Sequence, residues 1–286
     1  MSRRLPGLFA AVALVLAPVA AQQAPTFSAQ VEGVRVDVLV TEDGRALSGL
    51  GPADFDVRDN GVPQHIDLVD LTDVPVNVVL TLDFSRSVTG DKLAALRRAG
   101  RGLLDGLSSG DQAALVTFST AVTERVPMTA DIDRVRAALD GGEPSGDTAL
   151  VDAAVGAMLM GDTDAARTLV VVFSDGVDTA SFTRPALALE SARRVNGVVY
   201  GVSTGGDDVT FLQGLATATG GRVVRTGAAG DPGAAFLEVL REFRRRYVIT
   251  FTPAGTPKSG WHDLAVRVNR RGAKVQARAG YFASSR

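Results

Sequence analysis

The stretch Val76-Asn77-Val78-Val79-Leu80-Thr81-Leu82-Asp83-Phe84-Ser85-Arg86-Ser87 joins an apolar run to a cluster of small oxygen-bearing side chains. Val76–Leu82 is interrupted only by Asn77 and Thr81. Such a run fits a central parallel strand covered on both faces, where neither side of the pleat needs to meet water. The chain then turns polar at Asp83, at the carboxyl end of the strand, which is where open α/β sheets place their ligand sites. Extended residues two apart point the same way, so Asp83, Ser85 and Ser87 can converge on one point.

Downstream the same grammar repeats. Lys92–Leu107 carries an apolar stripe of Leu93, Leu96, Leu103 and Leu104, as a helix packed on one face requires. Ala113–Ser119 and Ala121–Val126 read as a strand pair, Ile132–Leu139 as a short helix and Thr148–Met160 as a longer one. Thr168–Phe173 is a second buried strand, followed by helix 184–195, strand 198–202, helix 211–219, strand 222–225 and helix 232–245. This alternation predicts an α/β domain over 74–246, with a doubly wound, mostly parallel sheet of the Rossmann-like kind.

The flanks read differently. Val34, Val36, Val38 and Val40 alternate with Arg35, Asp37 and Leu39, the period of two of a half-buried strand. Asn60-Gly61 favours a tight hairpin turn, with a return strand over Val62–Val69. Asp54, Asp56 and Asp59 are expected on the solvent side of that hairpin. After Arg246, strands are predicted at Tyr247–Thr252, Trp261–Val268 and Lys274–Arg278, with Trp261 as core. Three or four strands alone make a poor core, so segments 31–73 and 247–286 are expected to combine into one β-sandwich with the α/β domain inserted between them. The cations Arg241, Arg244, Arg245 and Arg246 are expected to complement the dipole at the end of the last helix.

Composition narrows the functional classes. The 286 residues carry 30 basic and 32 acidic side chains, a net charge of −2, without the basic surplus usual in a nucleic-acid binder. There is no cysteine, which removes disulfide scaffolds, thiolate zinc sites, iron–sulfur clusters and a cysteine nucleophile. Residues 1–21 read as a removable export signal: Arg3 and Arg4, an apolar stretch from Leu5 to Val19, then small residues ending at Ala21. A polar linker at 22–30 follows, and no later stretch is apolar enough to span a bilayer. The expected location is periplasmic or extracellular, with cleavage near Ala21.

The second buried strand ends in Phe173-Ser174-Asp175-Gly176, which sets another carboxylate on the rim, and Gly146-Asp147-Thr148 places a hydroxyl just before a helix. Three hydroxyls and two carboxylates, all oxygen donors, suit a hard divalent cation. If the hydroxyls bind it directly and the carboxylates through water, the ion stays electrophilic and can accept a carboxylate from a partner.

These residues resemble the von Willebrand factor A domain and its metal-ion-dependent adhesion site: Asp-x-Ser-x-Ser, a distant Thr, and a distant Asp in Ser-Asp-Gly. All five positions match, at Asp83, Ser85, Ser87, Thr148 and Asp175. The resemblance implies that the two serines and Thr148 coordinate the ion while both aspartates hold its waters. The segments Asp54-Phe55 through Pro63-Gln64 and Val275 through Phe282 are similar to the front and tail of a bacterial VWFA-related subfamily, whose biochemical role is largely undefined.

The function expected on these grounds is an exported module for metal-dependent protein–protein interaction or adhesion. Its ion is Mg2+, with Mn2+ and Ca2+ as alternatives, and its partner offers an Asp or Glu carboxylate. Two other classes compete. A metal-dependent hydrolase or phosphotransferase lacks support: Ser85 stands where a haloacid-dehalogenase-like pair needs a second Asp, no nucleotide loop or Gly-x-Ser-x-Gly elbow occurs, and no lysine or histidine base is expected beside the cluster. His65 and His262 both fall in the flanking strands. A metal-free structural scaffold in an envelope complex is the third class.

Overall fold

The computed structural model describes residues 33–70, 74–161, 166–204, 209–226 and 231–283. The export signal and linker expected at 1–30 lie outside the described residues.

In chain order the first flank contributes β1 (Val34–Glu42), β2 (Arg45–Ala46), β3 (Phe55–Asp59), β4 (Val62–Pro63) and β5 (Ile66–Asp70). The α/β segment follows as β6 (Val76–Asp83), α1 (Asp91–Asp105), β7 (Gln112–Phe118), β8 (Val122–Thr129), α2 (Ile132–Ala138), α3 (Leu150–Gly161) and β9 (Arg167–Ser174). It continues with α4 (Pro185–Ala192), β10 (Val198–Ser203), α5 (Thr210–Thr219), β11 (Val223–Arg225) and α6 (Pro232–Arg244). The second flank supplies β12 (Tyr247–Phe251), β13 (Gly260–Val268), β14 (Lys274–Gln276) and β15 (Gly280–Ala283).

The α/β sheet has six strands in the order β11-β10-β9-β6-β7-β8. All neighbours are parallel except β7 and β8, which form an antiparallel edge. Strand β6 is central and buried along its whole length, as its apolar run requires. Its alternating side chains feed two cores. Val78, Leu80 and Leu82 pack with Leu96 and Leu103 of α1 and Phe236 and Val239 of α6. Val79 faces the other way, toward Ala154, Ala157 and Met158 of α3 and Leu215 of α5. Covering both faces leaves polar side chains one natural outlet, the ends of the strands.

The two flanks interleave into a pair of antiparallel sheets, β14-β1-β12-β5 with β2 on β1, and β15-β13-β3-β4. Pairings β1–β12, β12–β5 and β13–β3 each join a strand from before the α/β segment to one from after it. Val36, Val38, Val40, Phe55, Val57, Tyr247, Ile249, Phe251 and Leu264 share one core, with the Phe55 and Tyr247 rings edge to face at 5.4 Å. The expected insertion of an α/β domain in a split sandwich is therefore the architecture observed.

Four local expectations change. The return strand over 62–69 is two elements: β4 pairs with β3, and β5 crosses to pair with β12 in the other sheet. Asp59 is fully buried rather than solvated, because it shares the inward parity of Phe55 and Val57. It accepts from Tyr281 Oη at 2.7 Å and lies 2.8 Å from His262 Nδ1. Trp261 is only half-buried; its indole N–H donates to Asp263 at 2.7 Å, and the Arg193 guanidinium stands 5.4 Å from its ring.

The last concerns the arginine run, of which Arg241 and Arg244 lie in the last turn of α6 as expected and Arg246 lies beyond it. Arg246 is fully buried, donating to Tyr200 Oη at 2.8 Å and to the Gly220 carbonyl at 2.5 Å, while Arg244 pairs with Asp111. Arg167 is buried at the same junction, donating to Asp37 of β1 at 2.7 Å and to the Phe243 carbonyl at 2.9 Å. The polar face of β1 thus packs on the α/β domain instead of on water.

Candidate metal centre

Asp83 is the last residue of β6, and its carboxylate is wholly buried. Its Oδ1 accepts the Ser85 backbone N–H at 2.8 Å, which turns the chain sharply as it leaves the sheet. Neighbouring loops hold that turn. Phe84 N–H donates to the Phe118 carbonyl at 2.7 Å, Ser145 N–H to the Phe84 carbonyl at 2.9 Å and Arg86 N–H to the Gly146 carbonyl at 3.2 Å. Val88 is buried beneath it. The backbone around Ser85 and Ser87 is therefore set by two other segments, the end of β7 and the loop at Ser145 and Gly146.

The two serine hydroxyls lie 3.0 Å apart, and Ser87 Oγ donates to Asp175 Oδ1 at 2.8 Å across 88 residues of sequence. Asp175 follows β9, beside β6 in the sheet, so the parallel register alone carries both strand ends to one rim. Ser174 completes the link. Its Oγ donates to Asp83 Oδ2 at 2.8 Å, tying the two aspartate-bearing turns together.

Thr148 stands on the same rim just before α3, buried and held through its backbone. Its N–H donates to Thr179 Oγ1 at 3.0 Å, and its carbonyl accepts from Thr179 and Ala180 at 2.8 and 3.1 Å. Asp178 caps α3 from outside the helix by accepting the Val151 N–H at 3.1 Å. Asp152 in the first turn accepts from the Phe182 and Thr183 N–H groups at 2.8 and 2.9 Å. Burial would raise the Asp152 pKa, but the hydrogen bonds from Thr183 and Phe182 outweigh it and hold the carboxyl below its ordinary value. The segment after Asp175 is thereby clamped to the start of α3.

The loop before Thr148 depends on a glycine. Gly146 has φ +73°, and a Cβ there would lie 2.3 Å from Thr120 Oγ1, which accepts the Asp147 N–H at 2.9 Å. Only glycine meets both conditions.

The structure thus joins Asp83, Ser85, Ser87 and Asp175 in one hydrogen-bonded chain and sets Thr148 on the same rim. It adds two residues that sequence reasoning left unassigned. Ser174 was visible inside Ser-Asp-Gly, but its partner 91 residues away was not. Lys92, in the first turn of α1, puts its Nζ 2.8 Å from Asp175 Oδ2. The expectation that no lysine lies beside the cluster is corrected here: the loop after Ser87 leads straight into α1, whose N-terminus abuts the same rim. That adjacency in sequence was the available signal.

Burial pushes the Asp83 pKa upward; hydrogen bonds from Ser85 and Ser174 oppose this, and the negative charge of Asp175 adds to it. Two buried carboxylates against one lysine leave the rim short of positive charge. Its oxygen-only donor set fits a hard divalent cation. Among the described residues no group of three or more His, Cys, Asp or Glu comes together, so any such ion would depend on the hydroxyls rather than on a carboxylate or imidazole cage.

A family model described as the von Willebrand factor type A domain matches residues 77–231. Inter-alpha-trypsin inhibitor heavy chain H4 of Homo sapiens is 32% identical over 168 residues, covering 53% of this chain and 18% of its own length. The Bos taurus protein of the same name is 29% identical with the same coverage. This chain therefore spans under a fifth of the curated relatives it matches. Among solved structures, proximal thread matrix protein 1 of the mussel byssus, with a zinc-occupied MIDAS motif, superposes with TM-score 0.52 at 18% identity, over 63% of this chain and 48% of that one. A D319A mutant of the PilB minor pilin of Streptococcus sanguinis gives TM-score 0.51 at 13% identity, over 61% and 62% of the two chains. An aerotolerance-related membrane protein of Bacteroides fragilis gives 0.50 at 18% identity, over 59% and 99%. At these identities the likeness is one of fold.

Proposed function

This chain belongs to the von Willebrand factor type A domain family, and we propose that it is a binding module that takes hold of a protein partner through a divalent cation at the rim of its six-stranded sheet. The observation that carries this reading is the contact chain from Asp83 through Ser85 and Ser87 to Asp175, which converges small oxygen donors from two strand ends. Ser85, Ser87 and Thr148 would ligate the ion through their hydroxyls. Asp83 and Asp175 would hold its waters and balance its charge. When bound, the ion supplies an electrophilic position for an Asp or Glu carboxylate of the partner. Mg2+ is the preferred occupant, with Mn2+ and Ca2+ as alternatives, and the zinc in the mussel byssus protein supports a divalent site in this fold.

The rim also offers apolar surface. Val177 and Phe182 project from the clamped segment after Asp175 and are 50% and 96% exposed. A partner that brings a carboxylate to the ion would cover them. No reaction is assigned to the rim: His65 and His262 belong to the sandwich, and Lys92 Nζ is paired with Asp175 at 2.8 Å. We propose a periplasmic or extracellular location, which rests on reading residues 1–21 as an export signal. No helix among the described residues is long and apolar enough to cross a membrane. The similarity of 54–64 and 275–282 to the bacterial VWFA-related group supports reading the protein as one of its members.

The test is affinity capture from periplasmic or secreted extract on immobilised protein, in Mg2+, in EDTA, and with Asp83→Ala. Retention of a partner only by the unaltered protein in Mg2+ is expected; equal capture under all three conditions defeats the reading.

A further inference from the structure

The cation already present at this rim is the chain's own. We propose that the Lys92 ammonium is a tethered stand-in for the ion: it holds Asp175 in the metal-free protein, leaves that carboxylate when a divalent cation enters, and so sets metal affinity by internal competition. This rests on the rim being a metal site.

Both Asp175 oxygens are engaged, Oδ1 by Ser87 at 2.8 Å and Oδ2 by Lys92 Nζ at 2.8 Å. The second contact is the one a bound cation and its waters would contest. The pair is also asymmetric. The Asp175 side chain is 3% exposed and that of Lys92 59%, so the carboxylate is fixed while the ammonium has solvent to move into.

Two further observations separate this from an ordinary ion pair. Lys92 lies in the first turn of α1, where a positive charge opposes the helix dipole, so helix stability does not explain its place. And between Val76 and Arg246 every other basic residue is arginine. Arginine grips a carboxylate with a rigid fork, whereas lysine offers a single, strongly hydrated charge on a flexible stem. Lys92, the cation that reaches Asp175, is thus of the kind that can be released. Once displaced, the ammonium stays on the rim and adds positive charge where an acidic partner would dock.

The experiment titrates Mg2+ and Mn2+ calorimetrically into the full chain, unaltered and with Lys92→Met or Lys92→Arg. Lys92→Met is expected to bind about 2- to 5-fold tighter, the equivalent of removing an ion pair with one exposed partner. Lys92→Arg keeps the charge but strengthens the grip, and is expected to bind more weakly than the unaltered protein.

A second measurement needs no variant. Amine acylation read by mass spectrometry follows Lys92 against the exposed Lys258 and Lys274, the other two lysines of the chain. Acylation of Lys92 alone is expected to rise at saturating Mg2+. Metal binding by the unaltered protein with no gain in Lys92→Met, or with acylation of Lys92 unmoved, overturns the competition and leaves the metal site standing. No metal binding by the unaltered protein overturns both.

Discussion

Asp37→Ala should destabilise the protein by about 3–5 kcal/mol, the cost of stripping the partner from a buried charge. Asp37 lies on β1 of the sandwich and Arg167 opens β9 of the α/β domain, with side chains 7% and 2% exposed. Arg167 Nε donates to Asp37 Oδ1 at 2.7 Å, and Nη2 lies 2.6 Å from the same oxygen. Among the described residues the guanidinium otherwise meets the Phe243 carbonyl at 2.9 Å and the Phe243 ring at 4.6 Å. Neither carries a counter-charge, so alanine leaves a cation in a place water barely reaches. For a chain of this size the loss corresponds to a fall of roughly 6–20 °C in Tm. Urea unfolding provides the assay, the expected result being a lower midpoint with an unchanged slope. Asp37→Ala combined with Arg167→Met should recover most of the loss, since replacing both members of a buried pair by apolar groups is far less costly than removing one. A single-variant loss below about 1 kcal/mol, or a double variant no better than the single, would refute the reasoning.

Gly146→Ala meets both a positive φ and the Thr120 hydroxyl, so a loss of about 1–3 kcal/mol in urea unfolding is expected, together with weaker Mg2+ binding by calorimetry. Phe182→Ala removes a side chain in contact with solvent, so Tm should move within the ~0.5 kcal/mol equivalent of a surface change while partner capture falls. Asp83 has a raised pKa in the folded state, so its ionisation opposes folding. In EDTA the protein loses stability from this group as pH rises from the ordinary value of 3.8 to the raised one, and Asp83→Asn should lack that component in paired unfolding curves. Saturating Mg2+ should offset the same loss in the unaltered protein and not in the variant.

Much of the fold was readable in advance because it rests on local periodicity. The apolar run of β6, the 3.6-residue stripe of α1 and the alternation in β1 are each a property of ten or fifteen consecutive residues. The weakness of three strands standing alone was enough to bring the two flanks together. Where periodicity misled, the cause was a second layer. Asp37 alternates correctly on β1, yet its outer face meets Arg167 instead of water. Asp59 has inward parity and is satisfied inside by Tyr281 and His262.

The sequence by itself determined the order of elements, the five candidate metal-site residues and the rim on which strand ends must gather, since each follows from spacing along the chain. Only the tertiary structure decided what those residues touch. Ser174 reaches Asp83 across 91 residues, Lys92 reaches Asp175 across 83 and Arg167 reaches Asp37 across 130. Such pairs leave no periodic trace, because a charge or a hydroxyl selects its partner by distance in the folded chain and by how far burial removes the competing water.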